Sequence, residues 1–376
     1  MKELKDIKKE SPEYTTVGSQ VLKDVISRLH KAYDKFFRRV KQGIEAPGFP
    51  RFKGKRFFNS FTFPNSSGWR YANGLEIQNV GRFKLRGGYK IIKTWHVKPD
   101  RTHLEIQDKD TTFQVVVRTV TVKRSNTGKW YVTFTCDNAP AKPVLASTAT
   151  IGIDVGTMLF SMDSDGKRIP RGGFLEGELR QLRILQRKAA RQREAMKREK
   201  RATSNHLEKT YDAIRRLHEH IANCRLDFIC KLSHYYVQNY GTIRVENLDI
   251  LNIIQRSKRD RKPPIARLRI LDAAWGTFFQ RLKMGAESAG RTYEEVSAEY
   301  TTMTCSRCGH VQKVALALRM FDCEKCKLRI HRKFNAARNI NQEQTLWESE
   351  NLSGIVALLS QIRQEYLNKE AIQSHE

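Results

Sequence analysis

Acidic residues are in short supply in this 376-residue chain: 40 Asp and Glu stand against 69 Lys and Arg, a net charge of +29. Self-repulsion on that scale calls for a polyanionic partner. Long apolar runs are missing too. No stretch of about 18 or more apolar residues occurs, which excludes an ordinary membrane-spanning helix. The start, Met1-Lys2-Glu3-Leu4-Lys5, carries neither a secretory nor a lipidation pattern. The expected location is therefore cytoplasmic. Cysteine is sparse, with seven residues, which excludes a disulfide framework and fits a reducing compartment. Cys136, Cys224 and Cys230 are scattered and read as buried thiols. No internal repeat is present.

The length allows two or three domains with a sizeable core. Residues 16–43 predict a helix: Val21, Val25, Leu29, Tyr33 and Phe36/Phe37 recur near a 3.6 period, with Ser19 as its cap. Its plain reading is core packing, with a basic end at Arg38, Arg39 and Lys41 that is either solvated or in contact with nucleic acid. The stretch from Gly48 to Arg56 differs in kind. Phe49 and Phe52 offer faces for stacking, and Arg51, Lys53, Lys55 and Arg56 offer charges for phosphate, the combination single-stranded RNA requires. From Ser60 to about Asp137 short alternating segments and Gly or Asn turns predict seven strands: Ser60–Phe63, Leu75–Gln78, Arg82–Leu85, Thr94–Lys98, His103–Gln107, Phe113–Val122 and Lys129–Cys136. Such a series suggests a small antiparallel barrel.

Ile151-Gly152-Ile153-Asp154-Val155-Gly156 predicts an apolar strand ending in one carboxylate, with Leu159–Met162 and Lys167–Ile169 completing a meander. An Asp so placed suits a metal ligand in a ribonuclease-H-like fold, and equally an Asp closing a turn. Glu176–Arg201 and His206–Tyr240 predict a helical hairpin. Between Glu178 and Arg201 ten Lys and Arg meet three Glu, and Arg183, Arg187 and Arg191 make a candidate phosphate-facing surface against the plainer reading of a solvated face. The stripe Leu207, Tyr211, Ile214, Leu217, Ile221, Cys224, Phe228, Leu232, Tyr235 reads as core. Thr242–Leu248 predicts a buried strand ending at Glu246, Arg256–Arg269 a mobile basic loop (Lys258, Arg259 and Arg261 its candidate contacts), and Ile270–Ala289 a helix. A last strand follows at Arg291–Val296, and a polar tail holds one short helix near Gly354–Leu367.

Cys305-Ser306-Arg307-Cys308 and Cys323-Glu324-Lys325-Cys326 are two Cys-x-x-Cys knuckles, able to close a tetrahedral zinc site from four thiolates. The alternative is a reduced, metal-free loop. Asp154 and Glu246, at the ends of separate strands, meet part of what two-metal phosphodiester cleavage requires.

These motifs, with Gly48–Lys53, the helix around Leu217–Asn223 and the ending Asn335-Ala336-Ala337-Arg338-Asn339-Ile340, resemble the TnpB family in order and separation over roughly residues 15–342. TnpB proteins are transposon-encoded, RNA-guided nucleases with a RuvC-like site, ancestors of type V CRISPR effectors. The resemblance implies a mixed α+β and α/β multidomain fold. It would comprise a helical recognition segment over 1–47, N-terminally truncated relative to the family, a wedge-like β-barrel over 48–137 and a linker over 138–149. A RuvC-like domain over 150–300 would carry the hairpin 176–240, followed by a zinc ribbon over 301–330, the last RuvC motif over 331–342 and a polar tail over 343–376. It implies a guide RNA and a double-stranded DNA target as partners, and structural Zn²⁺ as a cofactor.

One position departs from the family. The third metal-binding carboxylate, two residues before Asn335, is Lys333. A cation about 4 Å from Mg²⁺ costs roughly 8 kcal/mol at an effective dielectric of 20. Lys333 either swings aside or pairs with Asp154 and Glu246 and fills the metal position itself. His331 is a poor Mg²⁺ ligand, and Asp322 and Glu324, the nearby acids that could substitute, sit at the second knuckle. The pattern resembles the nuclease-dead, TnpB-like repressors, for which Mg²⁺ is needed only where nuclease activity remains. The alternatives are an active Mg²⁺-dependent RNA-guided endonuclease and an unguided zinc-ribbon DNA-binding accessory protein.

Overall fold

The computed structural model describes residues 8–346, apart from 44–45, 55–56, 65–66, 88–89, 99–100, 109–110, 138–143, 202–203, 260–263, 299 and 316–317. The chain divides into two compact units, Met1–Pro140 and Ala141–Glu376. Each is described by itself.

In the first unit a short 3-10 turn (Pro12–Thr15) precedes helix α1 (Ser19–Lys41), followed by strands β1 (Ser60–Phe63), β2 (Trp69–Tyr71), β3 (Leu75–Ile77), β4 (Gly81–Phe83), β5 (Lys90–Lys98), β6 (Arg101–Asp108), β7 (Thr111–Arg124) and β8 (Trp130–Asp137). All described pairings here are antiparallel. Strand β7 is the longest and has three partners. Both β1 and β6 overlap β8 in register, so they share one edge of β7 in tandem and β8 takes the other. Strands β2, β3 and β4 form a separate sheet. The two sheets bury one core, from Phe63, Trp69, Leu75 and Ile77 to Leu104, Val115, Val117 and Val120. Among the described residues the larger sheet is open between β5 and β8, so the pairings do not themselves close the expected barrel. Alternation failed to reveal β2 because three residues are too short for a period to register.

Helix α1 differs from its expected role. It buries no residue; Ile26, Leu29, Phe37 and Val40 are exposed, while Val21 reaches the core edge. Polar bonds hold it to β1: Arg28 donates to Thr62 Oγ1 at 2.7 Å, and the Thr62 N–H donates to Asp24 at 3.2 Å. Gly18, not Ser19, is its N-cap, and the Ser19 hydroxyl accepts from Lys8 instead.

The second unit runs β9 (Thr150–Val155), β10 (Leu159–Asp163), β11 (Arg168–Pro170), α2 (Phe174–Arg198), α3 (Asn205–Asn239), β12 (Thr242–Glu246), α4 (Ile250–Arg259), α5 (Pro264–Ala273), α6 (Trp275–Ser288), β13 (Thr292–Val296), β14 (Met320–Asp322), β15 (Arg329–His331) and α7 (Arg332–Leu346). Its main sheet has the order β11-β10-β9-β12-β13. The meander β9-β10-β11 is antiparallel, and β12 and β13 are added parallel to β9. Alternation decides the faces. Ile151, Ile153, Val155, Ile243 and Val245 pack against Ile229, Leu232 and Tyr236 of α3 and against Phe278 and Leu282 of α6. The opposite face, carrying Gly152 and Asp154, receives α7.

Two expectations are corrected. The loop expected over 256–269 is largely helical: α4 runs into it as far as Arg259, and α5 opens on Pro264. Proline suits the first turn of a helix, where its missing N–H has no partner to lose. The helix expected over 270–289 is broken at Ala274, whose φ of 51° lies in the left-handed region. The short helix expected near 354–367 lies outside the described residues.

Candidate functional site

Gly152 and Asp154 on strand β9, and Gly156 just past its end, fall at alternate positions, and the glycines make room for α7. A Cβ on Gly152 would stand 2.3 Å from the Ala337 carbonyl oxygen, and one on Gly156 would stand 2.5 Å from Lys333 Nζ. Helix α7 therefore lies directly on β9, with Lys333 in its first turn. Lys333 Nζ donates to Asp154 Oδ2 at 2.8 Å and to the Val155 carbonyl at 2.9 Å. Asp154 is 4% exposed. Burial drives its carboxyl above the ordinary range, and the charges of Lys333 and then Arg332 draw it back in part.

Glu246 ends β12, parallel to β9 with Val245 opposite Ile153, so the next residues, Glu246 and Asp154, fall on the same face. Glu246 is buried and accepts a hydrogen bond from Thr301 Oγ1 at 2.7 Å. On the same face Arg244 pairs with Glu294 at 2.6 Å and donates to the Asn341 carbonyl of α7. The three positions singled out in the sequence are thus two buried acids, Asp154 and Glu246, and the lysine, Lys333. The ammonium is hydrogen-bonded where a carboxylate ligand would be needed, and this donor set does not fit a pair of Mg²⁺ ions. Among the described residues no third Asp, Glu, His or Cys gathers with Asp154 and Glu246 into a metal-binding group. His331 turns to the backbone, where Nδ1 accepts from the Lys333 N–H at 3.3 Å. Asp322 pairs with Arg329 and remains at the second knuckle.

The four knuckle cysteines do gather. Their sulfurs lie within 4.8 Å of one another, and the pairs Cys305–Cys326 and Cys308–Cys323 are each 3.6 Å apart. A tetrahedral zinc with Zn–S bonds of ~2.3 Å has edges of about 3.8 Å, so the cluster fits a tetrahedral metal ion. Burial pushes the Cys305 thiol up to about 12. Burial raises the Cys323 thiol, but the N–H groups of Cys326 and Lys325 and the neighbouring Cys326 and Cys305 thiols together outweigh it and bring it down to about 7, favouring the thiolate that a metal takes.

Two asparagines join this cluster to α7. Asn335 is wholly buried; its Oδ1 accepts the Ser306 N–H at 2.9 Å and its Nδ2 donates to the Thr304 carbonyl at 2.6 Å. Asn339, one turn on, donates to the carbonyls of Thr301 and Thr304, both at 2.7 Å. Sequence reading quoted both as motif residues without assigning these contacts, and it missed Thr301. The available signal was the spacing of four, which places both amides on one helix face.

Two family models match the chain: one described as "Probable transposase" (OrfB of IS605) over residues 120–257, and one described as "Cas12f1-like, TNB domain" over residues 275–340. Between them they take in Asp154, Glu246, the four cysteines and Lys333. The chain belongs to the TnpB family.

The relatives agree with this membership. A protein of Escherichia coli (strain K12) described as "Putative RNA-guided DNA endonuclease InsQ" is 26% identical over 332 residues, 86% of this chain and 73% of that protein. A "Putative RNA-guided DNA endonuclease" of Streptomyces pristinaespiralis is 30% identical over 224 residues, 59% of this chain and 52% of its own length. In fold, the chain is similar to a Cas12f1 chain solved by cryo-electron microscopy as a Cas12f1-sgRNA-target DNA complex, with a TM-score of 0.51, 16% identity, and coverage of 86% of this chain and 71% of that one.

Of the residues this TnpB-family chain offers for nucleic-acid contact, Arg183, Arg187 and Arg191 lie exposed along one face of α2, four residues apart. Phe52 is 97% exposed, whereas Phe49 packs edge-on against Tyr33 and Phe36 of α1. Arg51 is exposed, and Lys53 Nζ stands 5.0 Å from the centre of the Phe58 ring. Lys55, Arg56 and Arg261 lie outside the described residues, as do the side chains of Lys258 and Arg259 at the end of α4. Of the three thiols expected to be buried, Cys136 on β8 is half-buried; on α3 the buried line runs through Ile221, Ile229, Leu232 and Tyr236, which leaves Cys224 half-buried and Cys230 exposed. Among the described residues no helix is long and apolar enough to cross a membrane.

Proposed function

We propose that this protein is an RNA-guided DNA-binding member of its family with a closed nuclease centre, acting as a transcriptional repressor by occupying its target. The observation that carries this reading is the pair of bonds from Lys333 Nζ to Asp154 and to the Val155 carbonyl. A tethered ammonium stands in for a divalent cation and supplies no ligand oxygen. The strand order of the second unit, with an acid ending each of two adjacent parallel strands, supports a RuvC-like origin. The shared core of the two antiparallel sheets supports a wedge-like barrel in the first unit. The charge of +29 and the free arginine face of α2 support a channel that holds a guide–target heteroduplex by shape and charge, with base pairing reading the sequence. The relatives' names point to the same partners. The metal in the four-cysteine cluster is structural zinc on this reading, which the sulfur spacing supports.

Retention of both Asp154 and Glu246 favours a second reading, an active Mg²⁺-dependent endonuclease. One gel separates the two. The protein is purified with its co-expressed RNA, the RNA is sequenced, and the complex is incubated with Mg²⁺ and a matched duplex beside a Lys333→Asp variant. Retarded, uncut DNA is expected for the native protein. Cutting by the native protein would overturn the closed-site reading, and absence of a defined RNA would overturn guidance.

A further inference from the structure

Asn335 and Asn339 serve two partners: they belong to the helix that carries Lys333, and their amides grip the backbone on both sides of Cys305. Asn335 spans the first knuckle, taking the N–H of Ser306 and giving its own N–H to Thr304, so the residue between them, Cys305, is held by both neighbours. Cys305 is wholly buried and packs with Phe321 and Cys323 in the small core of the ribbon. Asn339 holds Thr301 and Thr304 from the next turn of the helix. The Thr301 side chain in turn donates to Glu246. At the other end of the same helix segment, Lys333 is clasped to Asp154. An unbroken series of hydrogen bonds and one helix therefore links the four thiols to both carboxylates of the closed site.

We propose that Asn335 is a positioning residue of the zinc site and that, through α7, zinc occupancy and the Lys333–Asp154 clasp stabilise one another. This rests on the reading of the four cysteines as a zinc site. The physical case is that of an outer-shell partner. A buried amide that uses both its donor and its acceptor on a ligand's flanking peptides fixes that ligand's direction before metal arrives. The alternatives available to a knuckle without such support are many, and ordering them costs affinity. Coupling follows because α7 is one rigid element. If zinc fixes the knuckle, the knuckle fixes Asn335 and Asn339, and Lys333, two residues before Asn335, is held at Asp154. Linkage then requires the converse, so loosening Lys333 must weaken zinc retention.

The test uses the full chain. Zinc content is measured first, then the rate of zinc loss to a chromogenic chelator. The expected content is one zinc per chain; a protein that takes up none after reconstitution overturns the zinc reading and the coupling with it. Given bound zinc, Asn335→Ala is expected to weaken zinc retention about 10- to 100-fold, and Lys333→Ala by about 5-fold or more. Retention equal to native in Asn335→Ala overturns the positioning role while leaving the zinc site standing. Retention equal to native in Lys333→Ala overturns the coupling alone. Hydrogen exchange on the native protein covers the case of a variant that does not fold. Removing zinc is expected to strip protection from the α7 amides between Asn335 and Asn341 along with those of the knuckles, and unchanged α7 protection overturns the coupling.

Discussion

Lys333 and Asp154 pair where both are largely sheltered, with side chains 19% and 5% exposed. Breaking such a pair from one side leaves an uncompensated charge in low dielectric. Lys333→Ala is expected to lower the unfolding free energy by about 3–5 kcal/mol, whereas the double variant Asp154→Asn, Lys333→Met, which removes both charges, falls close to native. Urea unfolding followed by circular dichroism decides it, and a double variant as unstable as the single one would sink the argument. A second buried acid bears on pH. Asp163 is wholly buried and accepts from Tyr236 Oη at 3.1 Å and from the Lys167 N–H at 2.8 Å. Burial raises its carboxyl, while those hydrogen bonds pull the other way. A carboxyl raised in the fold takes its proton in the native state before the unfolded chain does. This group's contribution therefore strengthens the fold as pH falls from the raised value towards the ordinary carboxylate range, and weakens it as pH rises. Asp163→Asn is expected to flatten that part of the stability–pH profile; an unchanged slope would rule Asp163 out as its source.

At the scale of elements, the approach of α7 to β9 depends on a missing side chain. Gly152→Ala places a methyl group against the Ala337 carbonyl and 2.6 Å from the Asn341 nitrogen, both backbone atoms that cannot turn away. The expected loss is about 1–3 kcal/mol, the usual cost of overpacking, seen as a lower thermal midpoint. A native midpoint would mean the helix is free to ride outward. Helix α2 invites a different test. Exchanging Arg183, Arg187 and Arg191 for Gln removes three charges from one exposed face. If each meets a phosphate, the slope of log affinity against log salt should shrink by about 2–3, at 0.7–0.9 per contact. An unaltered slope would leave that face merely solvated. Elements were legible to different degrees. Of the expected stripe of α3, Leu207, Ile221 and Leu232 are buried, while Tyr211, Ile214, Leu217 and Cys224 are only half-buried. The alternation of β9 and β12 faces a continuous core, so its period is clean. Strand β2 is too short to show one, and Pro264 looks like a loop residue until its place at a helix start is known.

For the molecule as a whole, the charge of +29 works against compactness whenever no polyanion is bound. Raising salt screens that repulsion. Free protein is therefore expected to unfold at a higher temperature in ~0.5 M than in ~0.05 M NaCl, a range over which the Debye length shortens several-fold. Nucleic-acid affinity should fall over the same range. Melting curves and binding isotherms taken side by side check both, and a salt-independent melt would mean that the positive charge is already locally balanced.

Composition and local pattern by themselves determined a great deal about this protein. The basic excess calls for a polyanion, two short cysteine pairs present four thiolates, and alternation puts Asp154 and Glu246 on buried strand ends. Those are properties of neighbours along the chain, which periodicity records. What lies opposite Asp154 is not such a property. Lys333 is 179 residues away, and the sequence left open whether it swings aside or closes the site. Only the register of β9 with β12, the bare backbone at Gly152 and Gly156, and the grip of Asn335 and Asn339 on the first knuckle bring its ammonium to that carboxylate. Pairing between distant segments is set by packing, and packing is decided in three dimensions.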